Sequence, residues 1–241
     1  MTAPPIPLFS ASWFQGESKK ATIILLLSPF ILTAWKYYGT GPFFLNNLSS
    51  LVILWDNPLR SAEFYTFASA FLLLGIVPLA IIKFIFKESF ASYGLQTGDW
   101  QFGLRAFAVL APIMILSTYP SSLMAQFQAE YPLFKGAGAS PGLFAAHAAT
   151  YLLFYIGWEI YFRGFMLFGL RDRFGDWNAV LLQTLASCLL HIGKPDGEIF
   201  SSILGGIVWG IVTLRSRSIL CVLLLHWLLG VSLDLFICYA R

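Results

Sequence analysis

Long runs of apolar residues, separated by short polar stretches, follow one another along most of the chain. A helix that crosses a bilayer needs roughly 20 predominantly apolar residues, and two of the later runs fall short of that length. The run Phe43–Trp55 is also too short and is interpreted as an interfacial segment or a half-helix. A total of eight membrane segments therefore remains an alternative to seven. The pattern predicts seven membrane helices, at about Ala21–Tyr38, Phe64–Phe86, Leu104–Met124, Ala145–Leu170, Asn178–Ile192, Ile199–Leu214 and Ser218–Tyr239.

The composition agrees with an integral membrane protein. The chain is 58% hydrophobic and 11% charged, with a mean hydropathy of +0.73, whereas soluble domains average about 25% charged residues. We therefore expect an all-α, polytopic transmembrane helical bundle. Residues 1–20 are interpreted as an uncleaved polar tail and residues 21–241 as a single transmembrane domain. The net charge of +3 gives no case for a nucleic-acid partner.

The basic residues predict the orientation of the chain in the bilayer, because cytoplasmic loops carry an excess of Lys and Arg. With seven crossings and the N-terminus inside, the inner side has more basic residues than the outer side. The inner ones are Lys19, Lys20, Lys83, Lys87, Arg105, Arg171, Arg173, Arg215 and Arg217, and the outer ones are Lys36, Arg60, Lys135, Lys194 and Arg241. We expect a prokaryotic plasma membrane and a cytoplasmic N-terminus.

Ionisable residues inside the apolar runs are the strongest pointer to function. Such residues are costly at membrane depth and usually face a bundle interior or a watery cavity. Glu159 and Arg163 lie one turn apart on the predicted fourth helix, and His191 and His226 lie on two later helices. At about 1.5 Å per residue, Glu159, His191 and His226 lie roughly 16, 20 and 12 Å from the inner ends of their helices. This agreement in depth predicts one site in a polar intramembrane cavity.

The same residues also have a structural interpretation. Glu159 and Arg163 share a helix face and can form a self-neutralising structural ion pair, whereas in the functional interpretation Arg163 orients Glu159 and holds it ionised. A lone histidine in an apolar helix is often a hydrogen-bonded core residue. His147 has no partner at matching depth and is interpreted as structural.

The segment after His191 contains Gly193, Pro195 and Gly197, which break a helix. Non-helical backbone at membrane depth is tolerated where protein buries it or where it lines a watery cavity. Such a break would bring Glu198 towards the site, and an ordinary outer loop with solvated charges is the alternative. Asp234 lies two turns after His226, near the same helix face, and is a candidate supporting residue.

Three stretches together resemble the motifs of a known family. Trp158–Phe165, Ser187–His191 and His226–Gly230 are similar in order and spacing to the motifs of the CPBP family, intramembrane endopeptidases that include CAAX prenyl-protein proteases and bacteriocin-processing proteins. The resemblance covers about residues 142–241 and implies a helical bundle with a polar cavity. It implies that His191 is a base or metal ligand and His226 an oxyanion donor or second ligand. Glu159 and Arg163 match the second glutamate and the arginine of the first motif.

The sequence departs from this family pattern at two functional positions. Trp158 stands where the water-activating glutamate is expected, and Gly230 where an asparagine-like residue is expected. Glu198 and Glu159 are both candidates for the missing carboxylate. Asp234 is a candidate for the missing polar partner of His226.

The cofactor stays undecided at this point. Two histidines and a glutamate can hold a catalytic zinc with the fourth position open for water, which makes His191 and His226 candidate zinc ligands. The same groups can activate water without a metal, and the chain has no His-Glu-x-x-His motif.

Three functions are compatible with these observations. The first, which we expect, is an intramembrane (metallo)endopeptidase that hydrolyses a peptide bond of a membrane-associated peptide or protein by an activated water. The second is a catalytically silent family member that binds a membrane partner, as an immunity-type protein does. The third is a small transporter, because broken helices and buried charges also mark transport sites.

Overall fold

The protein is a helical membrane bundle, as predicted. The computed structural model describes residues 15–51 and 57–240, and all regular structure in these residues is helical. Six helical stretches are long and apolar enough to cross a membrane, and one of them, Pro141–Leu190, contains two of the helices named below. In chain order the helices are α1 (Gly16–Tyr38), α2 (Gly41–Asn47), α3 (Pro58–Phe86), α4 (Trp100–Ser122), α5 (Ala125–Glu130), α6 (Pro141–Glu159), which continues as the π-helix Ile160–Phe168, α7 (Gly169–Leu190), α8 (Asp196–Ser216) and α9 (Leu220–Tyr239).

Helix α3 begins six residues before its predicted start at Phe64. The side chain of Asn57 accepts hydrogen bonds from the backbone N–H groups of Leu59 and Arg60, at 2.9 and 3.3 Å, and Pro58 occupies the first helical position. Both features are typical of a helix N-terminus. The hydropathy pattern missed these first six residues because they include the charged Arg60 and Glu63.

The predicted fourth and fifth helices are an antiparallel pair without a loop between them. The stretch Pro141–Leu190 has 50 residues, and a single straight helix of that length would measure about 75 Å, more than twice the ~30 Å thickness of a bilayer core. Gly175 interrupts it with φ 76° and ψ 163°, and only glycine adopts such backbone at low cost. After Gly175 the chain runs back across the bundle. Lys20 and Lys36, at opposite ends of α1, show this, because they hydrogen-bond to Asp172 and to the Leu190 carbonyl respectively.

The segment Phe43–Trp55, predicted as interfacial or half-helical, overlaps α2. This helix has seven residues, too few to span a bilayer, and it packs against α3 through the buried Phe44. Residues 52–55 of that predicted segment lie outside the described residues.

Helices α3 and α6 cross at close range, and this crossing fixes the site-bearing part of α6. A Cβ atom on Gly157 would lie 2.5 Å from the Ala70 carbonyl oxygen and 3.0 Å from the Phe71 Cα atom. Only glycine permits so close an approach, as at other interfaces between membrane helices. The π-helix begins three residues later, at Ile160, and π-helical turns often accompany functional sites. Trp158 and Glu159 are thereby held between the crossing and the π-helix.

The two ends of the bundle differ in charge and in structure. At the first, here called the basic end, Lys20 bonds to Glu88 and Asp172, and Arg215 bonds to Asp99 at 2.8 Å. At the second, here called the pocket end, residues 131–134 contact α8 and α3. The Tyr131 hydroxyl donates to Glu198 at 2.7 Å, and the Phe134 N–H donates to Glu63 at 3.0 Å.

Candidate functional site

A pocket of about 650 Å³ enters the bundle from the pocket end. Aromatic side chains form much of its wall, and both candidate histidines and one candidate carboxylate border it. A concave, mostly apolar pocket with a few converging polar groups is typical of a binding or active site. Its central residues are Trp35, Phe154, Tyr155, Trp158, His191, Glu198 and His226.

His226 is held by a buried carboxylate. Glu159 Oε1 lies 2.7 Å from His226 Nδ1, and an ionised carboxylate can only accept a hydrogen bond, so Nδ1 carries the proton that it donates. Arg163 Nε lies 3.4 Å from Glu159 Oε2, and both side chains are almost completely buried. The guanidinium also lies 5.4 Å from the centre of the Trp209 ring. Glu159 therefore orients the His226 ring from behind and does not border the pocket.

His191 and Glu198 form a second pair on the pocket wall. His191 Nδ1 donates to the Ser187 carbonyl at 2.8 Å, which leaves Nε2 for the pocket. Glu198 Oε1 lies 4.0 Å from that Nε2 and accepts the hydrogen bond of the Tyr131 hydroxyl. Burial and the neighbouring Glu198 carboxylate raise the pKa of Tyr131 well above its usual range, so its hydroxyl stays a donor. Burial lowers the pKa of His191, in the turn between α7 and α8, to about 4.

Trp158 contacts both histidines. Its ring centre lies 5.4 Å from that of His191 and 6.4 Å from that of His226, in edge-to-face geometry. The ring is buried and packs on Trp35 and Phe154. The position of the expected first glutamate therefore does border the site, but it supplies an aromatic ring there instead of a base.

The predicted residues thus meet in two pairs and not at one point. Glu159 reaches His226, and Glu198 reaches His191. Helical depth predicted that these side chains lie near one another, but it could not predict which carboxylate would pair with which histidine.

The prediction that Asp234 is the polar partner of His226 is wrong in its geometry. Asp234 Oδ2 lies 2.8 Å from His147 Nε2, and Glu63 Oε1 lies 2.8 Å from His147 Nδ1. An offset of eight residues turns a side chain by about 80° around the helix axis, which takes Asp234 away from the face of His226. His147, interpreted as lacking partners, has two. Glu63 escaped notice because it precedes the apolar run.

The described side chains do not fit a catalytic zinc site. Such a site needs three protein ligands and an open position, and among the described residues no three His, Cys, Asp or Glu side chains are arranged to hold a metal ion. Of the two candidate ligands, His226 is bonded through Nδ1 to Glu159, and His191 has one carboxylate beside it.

Residues 140–232 match the family model of the Rce1-like type II CAAX prenyl endopeptidases. The matched range begins at the N-cap of α6 and contains both histidine–carboxylate pairs. The predicted resemblance to the CPBP family is confirmed for this part of the chain. No curated protein and no solved structure matches the chain.

Proposed function

We propose that this protein is an intramembrane endopeptidase that hydrolyses a peptide bond of a membrane-associated substrate with a water activated by His191 and Glu198. The observation that carries the proposal is the 4.0 Å separation between His191 Nε2 and Glu198 Oε1 on the wall of the pocket. Neither atom hydrogen-bonds directly to the other at this distance. The pair replaces the carboxylate that Trp158 cannot supply.

This separation suits one bridging water. A water that donates a hydrogen bond of ~2.8 Å to each of two acceptors 4.0 Å apart has an angle of about 90° at its oxygen, close to the angle between its own O–H bonds. Its oxygen lone pairs then point away from both acceptors and are available to a substrate carbonyl. The Tyr131 hydrogen bond holds the Glu198 carboxylate in this orientation.

The reaction follows from this arrangement. The water oxygen forms a bond to the carbonyl carbon while one of its protons passes to Glu198, which acts as general base. The tetrahedral intermediate then collapses, the C–N bond breaks, and the leaving amine takes the proton back from Glu198. His226 faces the pocket and stabilises the negative oxygen of the intermediate as an imidazolium, which donates through Nδ1–H to Glu159 and through Nε2–H to that oxygen.

The orientation in the membrane is part of the proposal. The basic end has nine Lys and Arg residues, whereas the pocket end has four among the described residues, namely Lys36, Arg60, Lys135 and Lys194. By the positive-inside rule, the basic end and the N-terminus are cytoplasmic. The pocket then opens on the opposite side of a prokaryotic plasma membrane, and substrate reaches it from that side or from the bilayer.

One observation favours a second function, a catalytically silent protein that binds a membrane partner. Trp158 fills the site of the expected glutamate and packs against Trp35 and Phe154 as a residue of an apolar binding pocket would. Under this function Glu198 serves only to hold residues 131–134 through Tyr131. The transporter alternative stays a prediction without a structural observation of its own.

The test compares the membrane proteins of cells that express different variants. New peptide termini are identified by mass spectrometry in membranes that contain wild type, Glu198→Gln, or the double variant Glu159→Gln/Glu198→Gln. Glu88→Gln, at the basic end, is the matched control because it makes the same chemical change far from the pocket. We expect termini that depend on wild type, persist in Glu88→Gln and disappear in the other two. Cleavage retained by the double variant would refute the proposal, and no new termini with wild type would favour the binding protein.

A further inference from the structure

The wall of the pocket next to His226 has an unusual contact between α6 and α9. Gly230 lies one turn after His226 on α9. A Cβ atom on Gly230 would overlap the hydroxyl oxygen of Tyr155 and lie 2.9 Å from its Cζ carbon. The Tyr155 hydroxyl therefore occupies the space that a side chain at position 230 would fill. The same tyrosine borders the pocket, and its ring centre lies 4.6 Å from that of His226.

An endopeptidase needs hydrogen-bond donors where the negative oxygen of the tetrahedral intermediate develops. Backbone N–H groups inside a helix are already bonded to carbonyls one turn back, and only the first four of each helix are free. In the middle of α6 and α9 the free donors are therefore side chains.

Several donors that border the pocket are already engaged. Tyr131 donates to Glu198, Lys36 donates to backbone carbonyls at the end of α7, and Thr66 donates to the Ala62 carbonyl. The indole N–H of Trp158 is buried and has no accessible surface. These groups cannot reach a substrate oxygen without giving up an existing contact or moving.

Tyr155 is different. Its ring centre lies 4.7 Å from that of Tyr151, and no described residue accepts a hydrogen bond from its hydroxyl. A phenol hydroxyl has one O–H donor, so that proton remains for another acceptor. The contact of Tyr155 with Gly230 fixes this hydroxyl one helical turn from His226.

We propose that Tyr155 is a catalytic residue. Its hydroxyl donates a hydrogen bond to the oxyanion, next to the hydrogen bond that His226 donates. This inference rests on the proposed function and names a group of that same site. Tyr155 keeps its proton throughout, because it stabilises charge by hydrogen bonding and takes no part in the transfer between water, Glu198 and the leaving amine. Gly230 is needed because a larger residue would displace the hydroxyl.

The test measures kcat and KM on a quenched fluorescent peptide that spans a site cleaved by wild type. Tyr155→Phe removes only the oxygen, and we expect kcat to fall by ~100-fold or more, the usual effect of losing one oxyanion donor, with KM changed less than about threefold since the ring remains. Tyr161→Phe is the matched control. It also removes one buried hydroxyl, bonded to Ser28 at 3.0 Å, but outside the pocket, so its kcat should stay at the wild-type value.

A second set of variants moves the hydrogen-bond donor from α6 to α9, so that the test does not depend on the Tyr155 ring. Tyr155→Ala vacates the space beside Gly230, and Tyr155→Ala/Gly230→Asn places an amide N–H donor there from α9. We expect the double variant to recover at least about tenfold in kcat over Tyr155→Ala, within the range of one such donor. Wild-type kcat in Tyr155→Phe, with Glu198→Gln inactive, would refute the role of Tyr155 and leave the proposed function intact. No cleavage by wild type would remove both.

Discussion

Replacing His147 should destabilise the bundle far more than neutralising one of the two carboxylates beside it. Both ring nitrogens of His147 lie 2.8 Å from carboxylate oxygens, of Glu63 on α3 and of Asp234 on α9. All three side chains are at most 4% exposed. A neutral imidazole has one N–H, so the two contacts require two shared protons. This cluster joins three helices and, through the Phe134 N–H on Glu63, the loop beside the pocket.

The structure sets the expected magnitude. His147→Leu keeps an apolar side chain of similar bulk but leaves two buried carboxylates without a donor, and breaking a buried charge pair costs about 3–5 kcal/mol. With roughly 2–4 °C per kcal/mol for a chain of this size, the midpoint of thermal unfolding should fall by ~6–20 °C. Glu63→Gln retains an oxygen that accepts from both His147 and Phe134, so it should cost less than about 1.5 kcal/mol.

The assay is thermal unfolding of the purified variants in one detergent, at one protein concentration, followed by the fraction that stays monodisperse after heating. The prediction concerns the difference between His147→Leu and Glu63→Gln. A midpoint for His147→Leu within about 2 °C of wild type, where 1 kcal/mol already gives 2–4 °C, would refute the reasoning. It would mean that the carboxylates take up protons at little cost and that the cluster does not join the helices.

Three further predictions concern packing, protonation and orientation. Gly157→Ala should destabilise the bundle by about 1–3 kcal/mol, because its Cβ meets the Ala70 backbone. Gly205→Ala, whose Cβ has no atom within 4 Å, should not destabilise it in the same unfolding assay. Equal unfolding midpoints for the two variants would contradict the close crossing. In ¹⁵N spectra, His191 should remain neutral at pH 5.5, since burial lowers its pKa to about 4, and protonation near pH 6.5 would contradict the buried geometry. In a cysteine-free background, an impermeant maleimide added to intact cells should label Asp196→Cys, at the pocket end, and should label Arg173→Cys, at the basic end, only after lysis; the reverse pattern would invert the proposed orientation.

The membrane helices could be predicted from the sequence because apolar runs report directly on burial in lipid. The predicted run Ile199–Leu214 lies within α8, and the run Ser218–Tyr239 differs from α9 only at its first two residues. Helix ends with charged or polar residues were harder to predict, as the early start of α3 at Pro58 illustrates. Gly175 ends one crossing and begins the next inside a polar stretch, where hydropathy indicates a gap but not a sharp reversal.

The site was predictable in its members but not in its contacts. Glu159, His191, Glu198 and His226 were all expected near one cavity, and each pairs with another of the four. Pairing depends on how each helix is rotated against its neighbours, which one sequence does not encode in any simple period. For this reason the sequence suggests Asp234 as a partner of His226, although Asp234 contacts His147.

Tyr155 was missed because an aromatic residue in an apolar run is usually interpreted as core packing, and Tyr131 because it lies in a loop outside the predicted membrane helices. A signal for Tyr155 did exist in the sequence. Gly230 has no polar group one turn after His226, and Tyr155, one turn before Glu159, lies on the helix that faces it. For Tyr131 no such signal exists, because it contacts Glu198 across 67 residues of sequence.

The most direct test of the central claim is the cleavage rate of Glu198→Gln relative to wild type, measured on the same peptide and per folded molecule. Glu198 is proposed to take the proton from the attacking water, and loss of a general base typically costs about 10²–10⁴-fold in rate. We therefore predict a fall of at least ~100-fold, with the unfolding midpoint little changed. A Glu198→Gln variant that cleaves at the wild-type rate would show that the base lies elsewhere and would contradict the account.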